Sequence, residues 1–311
     1  MIRNRKVMTA ALVVEMTIGF LVMARTVQAD PTFINTCPFV ITSPGRYLLA
    51  ADLICGGPGI AILSSDVTLA LEGHRITAGV GAKSSAAIQV PSLHPPPFGP
   101  LTNIHILGPG LITNGGENTF SFGVSLSLVN NSEVSGVTVL GSSGAGIAAF
   151  PPAIAGSTCD FLTITKNTLG RNNTGIRLLD VRFSTISEND ASGNIGESSP
   201  PFFGFGSGMW ADRSVGVTSS LGTVSHNTFN GNINGGLLIS GNQTATIQNN
   251  VTNGYGGNGI AVLNAGFGSS EITNNTSLAN GVNDLFDGFP GCTGTVWSGN
   301  TFFTANQSCI H

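Results

Sequence analysis

Short apolar stretches alternate with polar residues along most of the chain, as in Ile60-Ala61-Ile62, Val67-Thr68-Leu69-Ala70-Leu71 and Ile104-His105-Ile106. A period of two turns one face of each stretch toward a core, which is the mark of β-strands. Many of the stretches open on glycine: GIAIL at 59, GVSLS at 123, GIAAF at 146, GIRLL at 175, GMWAD at 208, GLLIS at 236 and GIAVL at 259, with AIQV at 87 as a variant. Successive starts lie 23 to 36 residues apart. The shortest spacing marks a basic unit and the longer ones are that unit with loops inserted, so the period signals a solenoid. Leucine-rich repeats of similar period need leucine-spaced frames and helical segments, and neither is found here. Each unit predicts one coil of about three short strands, stacked in parallel on the preceding coil at roughly 4.8 Å.

A second phrase recurs out of step with the first. ITKNTLGRN ends at Asn172, ISENDASGN at Asn194, VSHNTFNGN at Asn232 and ITNNTSLAN at Asn280. Asparagine tolerates left-handed backbone angles at a turn, and in a stack its amide can bond the same residue one coil above and below. Asn167, Asn189, Asn227, Asn250, Asn275 and Asn300 are the expected ladder, while Asn172, Asn194, Asn232 and Asn280 prepare the next turn into glycine. The N-x-[ST] sequons at Asn130, Asn172 and Asn275 read as products of an Asn/Thr-rich repeat.

With these phrases stand SPGRYLLAADL and VTLALEGHRITAG near the start and CTGTVWSGNTF near the end. From about Phe33 to His311 the chain resembles secreted right-handed parallel β-helix proteins, the pectate-lyase-like superfamily. The expected fold is all-β, a single-stranded right-handed parallel β-helix of about ten coils. The expected layout is a signal peptide over 1–29, an N-terminal cap over 30–58, repeats over 59–285 and a C-terminal cap over 286–311. The superfamily includes polysaccharide lyases, glycoside hydrolases, epimerases and proteins of no assigned activity, so the fold does not choose among them.

Composition narrows the compartment. Only 9% of residues are charged and 43 are glycine, which disfavours helices and suits short strands joined by tight turns. Arg3, Arg5 and Lys6 precede an apolar stretch, and Val27-Gln28-Ala29 offers a cleavage site before Asp30. Glu15 and Arg25 interrupt that stretch, so a retained anchor, which needs about twenty apolar residues, is the weaker reading. Residues 30–311 hold eight basic against fifteen acidic side chains, a net charge of −7 that disfavours nucleic acid and anionic lipid as partners. Cys37 with Cys55 and Cys292 with Cys309 would each close a short loop near one end, although other pairings remain open. Cys159 is left over and reads as a buried thiol.

Solenoids carry function where loops between coils wall a groove. Insertions fall at 91–100, 148–160 and 195–207. Reading outward positions across the glycine-led strands collects Ala148 and Phe150, Arg177 and Leu179, Trp210 and Asp212, Leu238 and Ser240. Arg177, Trp210 and Asp212, with Asp180 and Arg213 at the strand ends, form the candidate ligand-binding patch for an extended polysaccharide: an indole to stack on a sugar ring, carboxylate and guanidinium to bond hydroxyls. The competing reading packs Trp210 under the PPFFGF loop and pairs Asp180 with Arg213 as a cross-strand salt bridge. Lys166, Glu188 and His226 form a weaker catalytic column, with Glu188 placed to tune His226 as a general base in a lyase or epimerase; the alternative is a solvated column of alternating charge.

Hydrolysis would need two carboxylates about 5–10 Å apart on one face, and the outward strand positions supply only Asp212. The family's lyases gather acidic calcium ligands around an arginine or lysine base; Arg177 suits that base, but no matching acidic cluster accompanies it. His74, His94, His105, His226 and His311 are scattered without metal-ligand spacing, and GFGSG at 204 precedes no helix, so no metal and no cofactor is expected. The sequence therefore points to a non-catalytic carbohydrate-binding or surface protein, with a uronate-directed lyase or epimerase and a purely structural extracellular rod as alternatives.

Overall fold

A computed structural model describes residues 30–83, 85–91, 99–152, 156–196, 206–213, 219–241, 243–263 and 269–311. The expected signal peptide and the PPFFGF loop lie outside these residues.

Every pairing between named strands is parallel, and the strands collect into two long sheets of 14 and 10 strands with three two-stranded pieces at their corners. The eight apolar starts read from the sequence all lie in the ten-strand sheet, running from Ile60–Ile62 to Asn258–Val262. Phe39–Ile41 precedes them and Leu285–Asp287 follows; neither opens on glycine, which is why the repeat pattern passes over them. Ten stacked strands enclose nine turns of a β-solenoid. Both sheets already begin inside residues 30–58, where Thr32–Ile34 pairs with Gly45–Leu49 and Phe39–Ile41 with Ile60–Ile62.

Coil-to-coil register comes from the inward side chains. Ile147 lies over Ile176, then Met209, Leu237 and Ile260, all at most 1% exposed. Each such burial contributes roughly 1.5–3 kcal/mol, and a slip of one residue would turn the whole column outward. The glycines that open these strands are required for space, not for dihedral freedom. A Cβ on Gly175 would sit 2.7 Å from that of Ala191, and one on Gly208 would sit 2.6 Å from the Phe229 ring.

The asparagine ladder is continuous. Asn167 Nδ2 donates to Asn189 Oδ1 at 2.9 Å, Asn189 to Asn227 at 2.9 Å, Asn227 to Asn250 at 3.0 Å, Asn250 to Asn275 at 3.0 Å and Asn275 to Asn300 at 3.0 Å. Each rung also accepts a backbone N–H from the preceding one, as Asn227 Oδ1 does from Asn189 at 2.9 Å. The expected left-handed backbone is found one residue earlier, at Lys166, Glu188, His226, Asn249 and Asn274 with φ between 55° and 57°. That residue makes the corner, and the asparagine after it turns inward beneath the coil. A second ladder runs through positions expected only to prepare a turn: Asn194 Nδ2 donates to Asn232 Oδ1 at 3.0 Å, and Asn172 accepts from the Ser142 N–H at 2.9 Å. Asn172 and Asn275 are buried, so their sequons offer no surface for glycosylation in the folded protein.

The ends are fastened by disulfides Cys37–Cys55 and Cys292–Cys309, with Cα separations of 5.6 and 6.0 Å. Cys159 is buried, and burial pushes its thiol pKa up to about 11. Among the described residues no helix is long and apolar enough to cross a membrane.

Candidate functional site

Outward positions of the ten-strand sheet form a row that parallel register aligns as Ser125, Ala148, Arg177, Trp210, Leu238, Ala261 and Phe286. Ala148, Leu238 and Ala261 are buried although they point away from the core, so this row is recessed and not a bare solvated face.

Within it the structure brings Arg177, Trp210 and Asp212 together. The Arg177 guanidinium lies 4.8 Å from the centre of the Trp210 ring, a cation–π contact between adjacent coils. Trp210 Nε1 donates to Ser240 Oγ at 3.3 Å, and Ser240 Oγ donates to Asp212 Oδ1 at 2.9 Å. Asp212 Oδ1 also accepts the Arg213 N–H at 2.8 Å. Burial lowers the Arg177 pKa, and the Asp212 carboxylate offsets part of that effect. The indole therefore has one face covered by a guanidinium and its nitrogen engaged. What the row offers a ligand is a fixed series of donors and acceptors beside an aromatic edge. Ser240 links the set and was not among the expected site residues; its place two positions beyond Leu238 on the next strand was the available signal.

At the exit corner of these strands, Asp180 takes a left-handed φ of 49° and Arg213 is buried. Burial lowers the Arg213 pKa, Asp180 acts against it, and Arg182 adds to the lowering. At this corner Arg182 Nε also donates to Asp160 Oδ1 at 2.8 Å and Arg182 Nη2 to Asp160 Oδ2, a bidentate pair that raises the Arg182 pKa. Sequence reasoning missed it, since the partners stand 22 residues apart and neither belongs to a repeated phrase.

Lys166, Glu188 and His226 do stack, on the left-handed corner just described. All three are exposed, and Glu188 pairs with Lys166 at 3.9 Å; the ring of His226 makes no hydrogen bond or ion pair among the described residues. Among the described residues no three His, Cys, Asp or Glu side chains converge as a metal site.

The comparisons with known proteins agree with this geometry at the level of architecture. Residues 152–277 match a family model described as "Right handed beta helix region". Solved structures of similar shape include a point mutant of the periplasmic alginate epimerase AlgG, at 12% identity and TM-score 0.56 over 90% of this chain and 74% of that one. The AlgG structure without that substitution matches at 12% identity and TM-score 0.50, covering 83% and 64%. The catalytic domain of a GH87 alpha-1,3-glucanase in complex with nigerose matches at 11% identity and TM-score 0.40, covering 90% and 64%. No curated protein matches the sequence. Stacked parallel coils of this kind define the parallel β-helix architecture, and the match places a right-handed β-helix region over residues 152–277. The similarity to the solved structures is one of fold.

Proposed function

We propose that the protein is an exported β-helix that binds an extended carbohydrate along the recessed row of its ten-strand sheet, without chemical turnover. The observation that carries this reading is the linked set Arg177, Trp210, Ser240 and Asp212, in which guanidinium, indole, hydroxyl and carboxylate are held in fixed positions on neighbouring strands. Planar and bidentate groups of this kind match vicinal sugar hydroxyls, and their orientation on a rigid sheet lowers the entropy lost on binding. Two disulfides and the expected signal peptide fit an oxidising, extracytoplasmic compartment. The similar shape of the periplasmic alginate epimerase AlgG is compatible with a polysaccharide partner.

Affinity electrophoresis in gels containing neutral or acidic glycans tests the proposal. Retardation by at least one glycan is expected, with Trp210→Ala weakening it about tenfold, roughly 1.4 kcal/mol. Absence of retardation across a broad panel would leave a structural rod.

A lyase or epimerase is the second reading, and the half-buried Arg177 with its lowered pKa is what favours it. Such an enzyme would release unsaturated ends, or invert a uronate centre, in a manner abolished by Arg177→Ala. Ultraviolet absorbance and proton NMR of treated polymannuronate and pectate read the two outcomes directly.

A further inference from the structure

Opposite the exit corner, at the end where the chain enters the ten-strand sheet, lies a cavity of about 340 Å³. Its wall is assembled from successive coils and includes Thr113, Asn114, Ser143, Arg171, Asn173 and Ile195. None of these belongs to the Arg177 row.

Arg171 is out of place for a structural residue. It occupies a left-handed corner with φ 56°, immediately before a rung of the second asparagine ladder. At the same corner other coils carry Gly141, Gly193, Gly231 and Gly254, with φ from 63° to 81°, and Ala279 is the one further non-glycine residue there among the described coils. An arginine accepts backbone strain at a position where four coils use the residue that avoids it. Its side chain is exposed and makes no ion pair among the described residues, and none of the described residues that line the cavity is Asp or Glu. Beside it Asn173 holds a buried Oδ1 that accepts no hydrogen bond, so the wall contains an amide whose bonding capacity the protein leaves unused.

We infer that this cavity is a binding site for one small hydroxy acid, a carboxylate that carries several hydroxyl groups. Arg171 supplies the planar fork that pairs with a carboxylate. Thr113, Ser143, Asn114 and the amide of Asn173 supply donors and acceptors for hydroxyls, and Ile195 packs against the carbon chain. The volume stands at the lower end of small-molecule pockets, about 300–1,000 Å³, and suits a single six-carbon molecule, not a polymer. The site is independent of the proposed carbohydrate row.

Isothermal titration of the protein with sodium gluconate tests this, with glucose, acetate and inorganic phosphate as comparison ligands. Saturable binding of one gluconate is expected, at least tenfold tighter than any comparison ligand. Arg171→Gly is expected to weaken it at least tenfold while raising the melting temperature, because glycine suits the corner; Arg171→Lys is expected to weaken it less. The inference is overturned if gluconate shows no saturable binding, if acetate or phosphate binds equally well, or if Arg171→Gly leaves gluconate affinity unchanged. Should Arg171→Gly lower the melting temperature, the Arg171→Lys affinity decides: unchanged binding overturns the site and weakened binding supports it.

Discussion

Asn227 shows how much one side chain carries in a stacked fold. Its Oδ1 accepts from the backbone N–H and the amide of Asn189, while its Nδ2 donates to Ile186, Ser225 and Asn250. Replacing it with alanine strands several buried partners at once, each costing about 1–3 kcal/mol, so Asn227→Ala should lower unfolding stability by at least about 3 kcal/mol in denaturant titration. Asp284 is a second pivotal residue. Burial pushes its pKa up, but the N–H groups of Phe303, Asn280 and Thr304 outweigh burial and hold it below the usual carboxylate range. A folded-state pKa below the unfolded one stabilises the protein above the unfolded value of 3.8, and that contribution fades as pH falls through the lower folded value. As pH falls from about 6 to about 2, the melting temperature of wild type should therefore fall more than that of Asp284→Asn.

For the elements, the decisive feature is the strand opening. Gly175 and Gly208 sit where neighbouring coils press inward, and the clash of an added methyl is with packed backbone and with the Phe229 ring. Gly208→Ala should thus cost about 1–3 kcal/mol by overpacking, measured as a shift of the urea midpoint. The left-handed corner behaves in the reverse way. His226 holds φ 57° there with an exposed side chain, so His226→Gly should leave glycan retardation and any turnover unchanged and should not lower stability. Loss of turnover in that variant would support the catalytic reading of the Lys166, Glu188 and His226 column.

The whole molecule is a stack whose ends must be closed. Thr295–Ser298 is the last strand of the longer sheet, and an unprotected edge of parallel sheet invites pairing with another chain. Cys292–Cys309 closes a 17-residue separation over this end, worth about 3 kcal/mol in the loop-entropy treatment. Reduction, or the double substitution Cys292→Ala with Cys309→Ala, should lower the melting temperature and promote association visible by light scattering. Trp297 beneath this end donates its Nε1 to the buried Asp287 at 2.8 Å, so fluorescence should report the opening of the cap.

The period-two alternation and the glycine-led starts were enough to define parallel coils and their register, because inward side chains repeat on every turn and loop length does not alter them. The ladder positions were legible for the same reason, as identical residues recur at identical places in the coil. Which residue bends the chain, and that a second asparagine column is also buried, became visible only in three dimensions: both depend on which way a corner turns, and residues on either side of a corner look alike in sequence. The site divides along the same line. Arg177, Trp210, Asp212 and the outward position of Ser240 could be aligned by counting along strands, whereas the hydrogen bonds that Ser240 makes, the Arg182–Asp160 pair and the cavity at Arg171 arise from contacts across coils joined by loops of unequal length. Local alternation determined the stack, and the packing of one coil on another decided which of its side chains meet.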